Sequence, residues 1–170
     1  MYPVVLFKGT LYEMSIWQFV MSHSFLIVLA WLIVARPKDF PVSRAGLFFA
    51  ACILYTAGIV GAKLLWMFIN RERLFAVWGF SFGYAFLASG YAFMGAIPAQ
   101  MAAMALFTKL RTRRVSFWDL MDYFMPFILL HQAFVRIGCF LSGCCSGKIT
   151  LVPWGCRFKG EAVARHPTQI

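Results

Sequence analysis

The sequence predicts an all-α, multi-pass membrane protein with about four transmembrane helices. Hydrophobic residues make up 62% of the 170 residues and charged residues only 13%, against about a quarter charged in a soluble domain. Four apolar stretches are each about 20 residues long, the length of helix that crosses the hydrocarbon core. This composition excludes a soluble enzyme. It also excludes a disordered or disulfide-dense chain, because the apolar content is high and 5 cysteines are an ordinary number.

The predicted spans follow the apolar stretches, and we expect one membrane domain over residues 1–170. The first span is too long for the core of a cleavable signal peptide, and no small-residue cleavage site follows it. Aromatic and glycine residues between Asn70 and Gly90 favour an arm at the membrane surface. An irregular outer segment, residues 142–170, follows the last span. The four spans are predicted over residues 15–35, 45–69, 87–107 and 120–141.

Basic residues predict the orientation of the chain in the membrane. Lysine and arginine outnumber aspartate and glutamate by 16 to 6, a formal net charge of +10. The apolar background favours a lipid surface as the partner of this charge, and we expect no nucleic-acid partner. The densest basic cluster, residues 109–114, lies between the third and fourth spans, and cytoplasmic loops carry such clusters. The N-terminus, the arm and the outer segment are then predicted to face outward.

Arg136 lies near the predicted outer end of the fourth span. A charge at this depth is costly unless it reaches the interface or finds an anionic partner. Two interpretations stay open from position alone: the side chain reaches lipid headgroups, or its planar guanidinium binds a phosphate with two hydrogen bonds. Glycines at positions 138, 143 and 147 would let backbone approach a ligand or let helices pack closely.

Four cysteines lie at and after the end of this span: Cys139, Cys144, Cys145 and Cys156. Structural zinc sites usually have two separated pairs of cysteines, so this spacing disfavours a metal site, and we expect neither a metal nor a cofactor. A disulfide between Cys156 and Cys144 or Cys145 is favoured on an outward face. The alternative is that the cysteines are small packing residues.

Three motifs follow one another in the second half of the chain. They are Arg-Ile-Gly-x-Phe-x-x-Gly-x-x-x-Gly from Arg136, Pro-Trp-Gly from Pro153 and Arg-His-Pro-Thr-Gln from Arg165. Together they resemble the signature region of bacterial prolipoprotein diacylglyceryl transferases, and Cys139 and Cys144 are similar to a divergent, cysteine-containing branch of that family. The resemblance covers about residues 58–170.

The resemblance implies an inner-membrane transferase with its sites facing the outer leaflet. Such an enzyme moves a diacylglyceryl group from phosphatidylglycerol to the lipobox cysteine thiol of a preprolipoprotein and releases glycerol phosphate. The implied partners are phosphatidylglycerol, the preprolipoprotein and the lipid bilayer. The family's lipid-binding arginine corresponds to Arg136, which would hold the phosphate and stabilise the charge on the leaving group.

Several positions depart from the family pattern. Met94 stands where the family has a functional histidine, Lys63 replaces an arginine and Cys139 replaces an asparagine. A thiol substrate needs a base or a cation that favours the thiolate, and the candidates left are His131 and His166, although a packing role for His131 stays open. We therefore expect Arg136 and His131 to be catalytic. The residues expected to bind substrate are Arg136, Cys139, Gly143, Lys63, Met94, Arg165 and His166.

Two other functions stay open from the sequence. One is a non-catalytic, lipid-binding membrane protein that kept this fold after losing its base. The other is a membrane thiol-redox protein that uses the cysteine cluster. The sequence also stops at Ile170 inside the last motif, so we expect the chain to be the N-terminal part of a longer protein.

Overall fold

The computed structural model describes residues 5–6, 14–78, 81–111, 115–158 and 161–169. A two-residue antiparallel pair, β1 (Val5–Leu6) with β2 (Met14–Ser15), precedes the first helix. The predicted all-α class is confirmed, with this short pair as a small addition. The helices are α1 (Ile16–Val34), α2 (Arg44–Ile69), α3 (Arg71–Trp78), α4 (Phe82–Ala88), α5 (Phe93–Arg111) and α6 (Phe117–Ser142).

Four of these helices, α1, α2, α5 and α6, are long and apolar enough to cross a membrane, as predicted. Many of their large apolar side chains are exposed, for example Val34 at 76% and Phe68 at 67%. Exposed apolar surface of this kind is unfavourable in water and favourable in hydrocarbon. The outward faces of these helices are therefore suited to lipid contact.

Serine side chains set where three of the long helices begin. The Ser15 hydroxyl accepts the Gln18 backbone N–H at 3.3 Å, and the Gln18 amide oxygen accepts the Ser15 N–H at 2.9 Å, which forms a capping box before α1. The Ser43 hydroxyl accepts the Gly46 N–H at 3.0 Å at the start of α2. At the start of α6 the Ser116 hydroxyl accepts the Trp118 backbone N–H at 3.2 Å. Each cap satisfies a donor that the first turn of a helix leaves unpaired.

The predicted start of the third span, at residue 87, is wrong. The apolar run through this region hides a break: α4 ends at Ala88, and α5 begins only at Phe93. Ser89 leaves the helical conformation with φ −65° and ψ 147°, and its hydroxyl donates to the Phe86 carbonyl at 2.7 Å. Local bonding by a serine hydroxyl competes with helix continuation, so hydropathy alone did not locate this boundary.

The predicted surface arm contains the two short helices α3 and α4. Arg71, Glu72 and Arg73 open α3, and residues 79–80 between the helices lie outside the described residues. The location of the arm at a membrane surface stays a prediction.

The chain divides into two compact units. The first unit, residues 1–35 and 124–170, holds α1, most of α6 and the outer segment. The second unit, residues 36–123, holds α2 to α5 and the first residues of α6. The expectation of one domain stays a prediction.

In the first unit, α1 packs against α6. Trp31 meets Phe127 edge to face, with ring centroids 5.5 Å apart. A Cβ on Gly138 would lie 3.4 Å from atoms of Trp17 and Val20, an ordinary contact distance. Position 138 of α6 therefore lies against α1 at ordinary packing distance, with room for a methyl group.

In the second unit, α2 and α5 approach each other at two glycines. A Cβ on Gly61 would lie 2.3 Å from the Gly95 carbonyl oxygen, and a Cβ on Gly95 would lie 2.3 Å from the Gly61 carbonyl oxygen. Nearby, the Gln100 side-chain amide donates to the Leu54 carbonyl at 3.3 Å. Close backbone approach at small residues and interhelical hydrogen bonds are the usual means by which helices associate in lipid.

We predict that Gly61→Ala lowers the free energy of unfolding by about 1–3 kcal/mol, the usual cost of overpacking. The added methyl group would meet backbone of α5, which cannot rotate away as a flexible side chain can. The measurement is denaturant unfolding in detergent micelles, followed by tryptophan fluorescence.

Gly83→Ala in α4 is the matched control, because, apart from its chain neighbours and the backbone of its own helix, no described atom lies within 4 Å of the position that its Cβ would take. It should leave stability unchanged or raise it slightly, since alanine suits a helix better than glycine. Equal stability of the two variants would contradict the close approach of α2 and α5.

Candidate functional site

Arg136 lies on α6, six residues before the helix ends at Ser142. The side chain is exposed, and its Nη2 donates to the Thr168 carbonyl at 3.5 Å, a long and weak hydrogen bond. The ion pairs among the described residues are Arg71 with Glu72 and Arg165 with Glu161, so Arg136 has no carboxylate partner there. A guanidinium carries five N–H donors, and the described residues engage Arg136 only through this weak bond, so they leave most of its donors for an anionic ligand.

His131 lies on the same helix, where its ring packs against α1. Its Nδ1 lies 3.0 Å from the Ser24 hydroxyl oxygen, and that hydroxyl also lies 3.1 Å from the Met21 carbonyl. The carbonyl can only accept, so we assign the hydroxyl proton to it and the imidazole proton to Nδ1. In this tautomer Nε2 carries the lone pair, as a general base requires.

Arg165 and His166 organise the outer segment. The Arg165 guanidinium pairs with the Glu161 carboxylate and donates to the Gly147 carbonyl at 3.2 Å. The backbone N–H of His166 donates to the Lys148 carbonyl at 2.9 Å, and the His166 carbonyl accepts the Gly147 N–H at 2.9 Å. The described residues after Ser142 contain no helix, which confirms the irregular segment. The guanidinium of Arg165 is thus engaged within the segment rather than presented to a ligand.

Two glycines are needed for the shape of this segment. Gly143 has φ 71°, in the left-handed region that glycine adopts without steric cost. A Cβ on Gly147 would lie 2.9 Å from the His166 carbonyl oxygen and 2.7 Å from a Thr168 methyl carbon, so only glycine fits there without a shift. These positions shape the chain reversal after α6.

The end of α6 brings three cysteines together. The Cys144 N–H donates to the Cys139 carbonyl and the Gly143 N–H to the Phe140 carbonyl, each at 3.1 Å. This pair of bonds is the Schellman motif, which satisfies the last carbonyls of a helix. The motif folds Cys144 back beside Cys139, and the sulfurs of Cys139, Cys144 and Cys145 all lie within 4.8 Å of one another.

The chemistry of the Cys144 thiol reflects these neighbours. Partial burial disfavours the thiolate, and negative charge on Cys139 or Cys145 would repel it, so the pKa of Cys144 rises to about 12. The thiol of Cys144 is therefore protonated at neutral pH and a poor nucleophile.

The predicted disulfide to Cys156 is not formed, because all five cysteines are free thiols. The Cys156 thiol instead lies 3.7 Å from the Trp154 carbonyl. The spacing of the cysteines along the chain did not predict the three-cysteine group, because it differs from the two separated pairs that are usual in zinc sites.

Lys63 and Met94 lie in the second unit. The Lys63 ammonium donates to the carbonyls of Phe86, Leu87 and Ser89 at 2.9, 3.3 and 3.1 Å, and it lies 4.9 Å from the centre of the Tyr91 ring. Its three protons are thus used to hold the end of α4, which satisfies a buried charge with internal partners. Met94 has a different environment, since its side chain is 69% exposed near the start of α5.

The structure gathers five expected site residues at one end of the first unit: Arg136, Cys139, Gly143, Arg165 and His166. Sequence reasoning missed Ser24, which fixes the ring of His131, and Thr168 and Gln169, which bind the turn after α6. The Thr168 hydroxyl donates to the Cys145 carbonyl at 2.8 Å and the Gln169 amide to the Cys144 carbonyl at 2.5 Å. Polar residues inside an apolar span, and the Thr-Gln pair of the last motif, were the available signals.

Comparison with known proteins gives the family of the chain. A family model described as prolipoprotein diacylglyceryl transferase matches residues 4–170. The chain belongs to the prolipoprotein diacylglyceryl transferase family. This membership confirms the resemblance carried by the motifs around Arg136, Pro153 and Arg165.

Several curated members of the prolipoprotein diacylglyceryl transferase family resemble the chain at modest identity, and each is named phosphatidylglycerol–prolipoprotein diacylglyceryl transferase. The relative from Clostridium tetani is 31% identical over 147 residues, 82% of this chain and 56% of the relative. That from Coxiella burnetii is 30% identical over 129 residues, 73% of this chain and 45% of the relative. The relative from Pseudomonas paraeruginosa is 29% identical over 153 residues, 83% of this chain and 53% of the relative. The chain thus spans about half the length of the curated relatives that it matches.

Proposed function

We propose that this chain works in the transfer of a diacylglyceryl group from phosphatidylglycerol to a lipobox cysteine thiol. The observation that carries the proposal is Arg136: an exposed arginine near the end of a membrane-spanning helix, in a chain of this family, whose hydrogen bond among the described residues is one long contact to the Thr168 carbonyl. The names of the relatives support the two substrates.

Arg136 would bind the phosphate of phosphatidylglycerol. The bond to the Thr168 carbonyl is at the limit of hydrogen-bond distance, so a phosphate that offers two charged oxygens would displace it with a gain in interaction energy. When the bond between the glyceryl carbon and the phosphate oxygen breaks, negative charge grows on the leaving glycerol phosphate. The same guanidinium would then stabilise that charge.

His131 would accept the proton of the substrate thiol. The lipobox sulfur forms a bond to the glyceryl carbon, the carbon–oxygen bond breaks with its electron pair on glycerol phosphate, and the thiol proton passes to Nε2 of His131. The Ser24 hydroxyl supports this role, because it holds Nδ1 at 3.0 Å and so fixes the tautomer and the plane of the ring.

The other expected residues have supporting parts in this proposal. Arg165, His166 and Gly143 shape the outer segment beside Arg136, and Cys139 lies buried near the end of α6. Exposed Met94 would contact substrate through its apolar side chain, while Lys63 positions the connection between α4 and α5.

A lipid-binding protein without catalysis is the second candidate. The observation that favours it is Met94, since a thioether at the position of the family's functional histidine cannot take a proton. Such a protein would bind phosphatidylglycerol through Arg136 and leave the thiol unmodified.

The proposed location is the bacterial inner membrane, with the N-terminus and the outer segment on the outer side. The basic loops after α1 and after α5 support this orientation, because short cytoplasmic loops carry the lysine and arginine excess. Arg136 would then face the outer leaflet.

We predict that Arg136→Ala lowers the transfer rate by about 10²–10³-fold, the usual loss when one group that stabilises developing charge is removed. Arg136→Lys should recover only part of the rate, because an ammonium cannot bind a phosphate in the bidentate way. The measurement uses the chain in phosphatidylglycerol vesicles with a lipobox peptide, and follows the diacylglyceryl adduct by peptide mass.

Arg44→Ala is the control, since Arg44 is also exposed but lies at the predicted cytoplasmic end of α2. A wild-type chain that binds phosphatidylglycerol without forming adduct would favour the lipid-binding candidate. Equal adduct from the wild type and Arg136→Ala would rule out the phosphate role of Arg136.

We predict that His131→Asn lowers the transfer rate by about 10²–10⁴-fold, the usual contribution of a general base, while phosphatidylglycerol binding is retained. His23→Asn is the matched control, because His23 is also a helical histidine of the first unit and its hydrogen bonds to described residues are local, to the Phe19 carbonyl and Ser22. Both variants are compared by initial rate at saturating lipid. A rate for His131→Asn equal to that of His23→Asn would exclude His131 as the base.

A further inference from the structure

Three thiols form a compact group where α6 ends. The sulfurs of Cys139, Cys144 and Cys145 lie within 4.8 Å of one another, with Cys139 buried and the other two exposed. Thiolates bound to zinc at about 2.3 Å in tetrahedral geometry lie about 3.8 Å apart. Closing the group around a metal ion therefore needs shifts of about 1 Å or less, which small side-chain rotations supply.

The backbone that carries these thiols is held in place before any ligand binds. The Schellman bonds fix Cys144 against Cys139, and Cys145 has φ 59°, a left-handed conformation that is uncommon for a residue with a side chain. Thr168 and Gln169 then anchor the carbonyls of Cys145 and Cys144 through their side chains. Prepositioned ligands with anchored surroundings are typical of metal sites.

We propose that Cys139, Cys144 and Cys145 form a binding site for one thiophilic metal cation, Zn²⁺ or Cu⁺, at the end of α6. Binding would convert the three thiols to thiolates and release three protons to the solvent. Thiolates favour these two ions among the common metals. With three protein ligands, a zinc ion would keep a fourth position open to water, while a cuprous ion would be satisfied by three sulfurs.

A metal uses all three thiols, whereas a disulfide cannot. A bond between any two of them would leave the third unpaired, and a bond between the adjacent Cys144 and Cys145 would be strained. The exposed faces of Cys144 and Cys145 give an ion access from solvent, and buried Cys139 closes the inner side.

The test is metal titration of the full chain, kept reduced in detergent, with Co²⁺ as the optical probe for zinc-type binding. We expect one equivalent to bind and to produce a thiolate-to-cobalt charge-transfer band. Separate titrations with Zn²⁺ and Cu⁺ against chelators of known affinity decide which ion is held more tightly.

Serine variants of the five cysteines provide the comparison. Cys139→Ser, Cys144→Ser and Cys145→Ser should each weaken binding by more than the roughly 10–100-fold that loss of a supporting residue costs. Cys156→Ser and Cys52→Ser should bind as the wild type does. Gln169→Ala should weaken binding by about 10-fold, as expected for a residue that only orients the ligands.

Thiol alkylation of the wild type keeps the test independent of how the variants fold. Bound metal should protect the three clustered cysteines from alkylation after partial denaturation and leave Cys52 and Cys156 reactive, read by peptide mass spectrometry. The proposal is overturned if no stoichiometric metal binds to the reduced chain, or if Cys156→Ser loses binding as fully as Cys144→Ser.

Discussion

The turn that ends α6 is the constraint on which the rest of the first unit depends. A helix leaves its last carbonyls unpaired, and in this chain the N–H groups of Gly143 and Cys144 take two of them. The positive φ of Gly143 then reverses the chain, and Thr168 and Gln169 anchor the reversed backbone by bonding the next two carbonyls. The Thr168 carbonyl also accepts the hydrogen bond from Arg136. The same turn therefore sets the surroundings of the side chain that is proposed to bind phosphate.

In the second unit the helices must associate without a hydrophobic driving force, because lipid tails are as apolar as the helix side chains. Gly61 and Gly95 let α2 and α5 come into backbone contact, so dispersion forces act over a short distance. Lys63 then ties α4 to α2 by giving its protons to carbonyls that would otherwise be unpaired. An ammonium that is fully used in this way suits a structural role better than a direct contact to substrate.

Much of this architecture could be predicted from the sequence, because it depends on local composition. The four long helices follow from apolar runs, and the irregular outer segment was expected after the last of these runs. The start of α5 was missed because Ser89 interrupts the helix by a hydrogen bond that hydropathy does not register. The three-thiol group was missed for a related reason, since it depends on a chain reversal and on bonds from residues more than twenty positions away. The motifs around Arg136 gave the family, because short ordered motifs survive where overall identity is low.

The proposed function depends most on binding of the phosphate of phosphatidylglycerol by the Arg136 guanidinium. The most direct measurement is a nitrogen–phosphorus distance by solid-state NMR, with ¹⁵N-labelled arginine in phosphatidylglycerol bilayers and Arg136→Lys to assign the signal. We expect a guanidinium nitrogen of Arg136 to lie in hydrogen-bond contact with a lipid phosphate, and the nitrogen–phosphorus coupling to be lost in the variant. An Arg136 guanidinium that shows no coupling to phosphorus in these bilayers would contradict it.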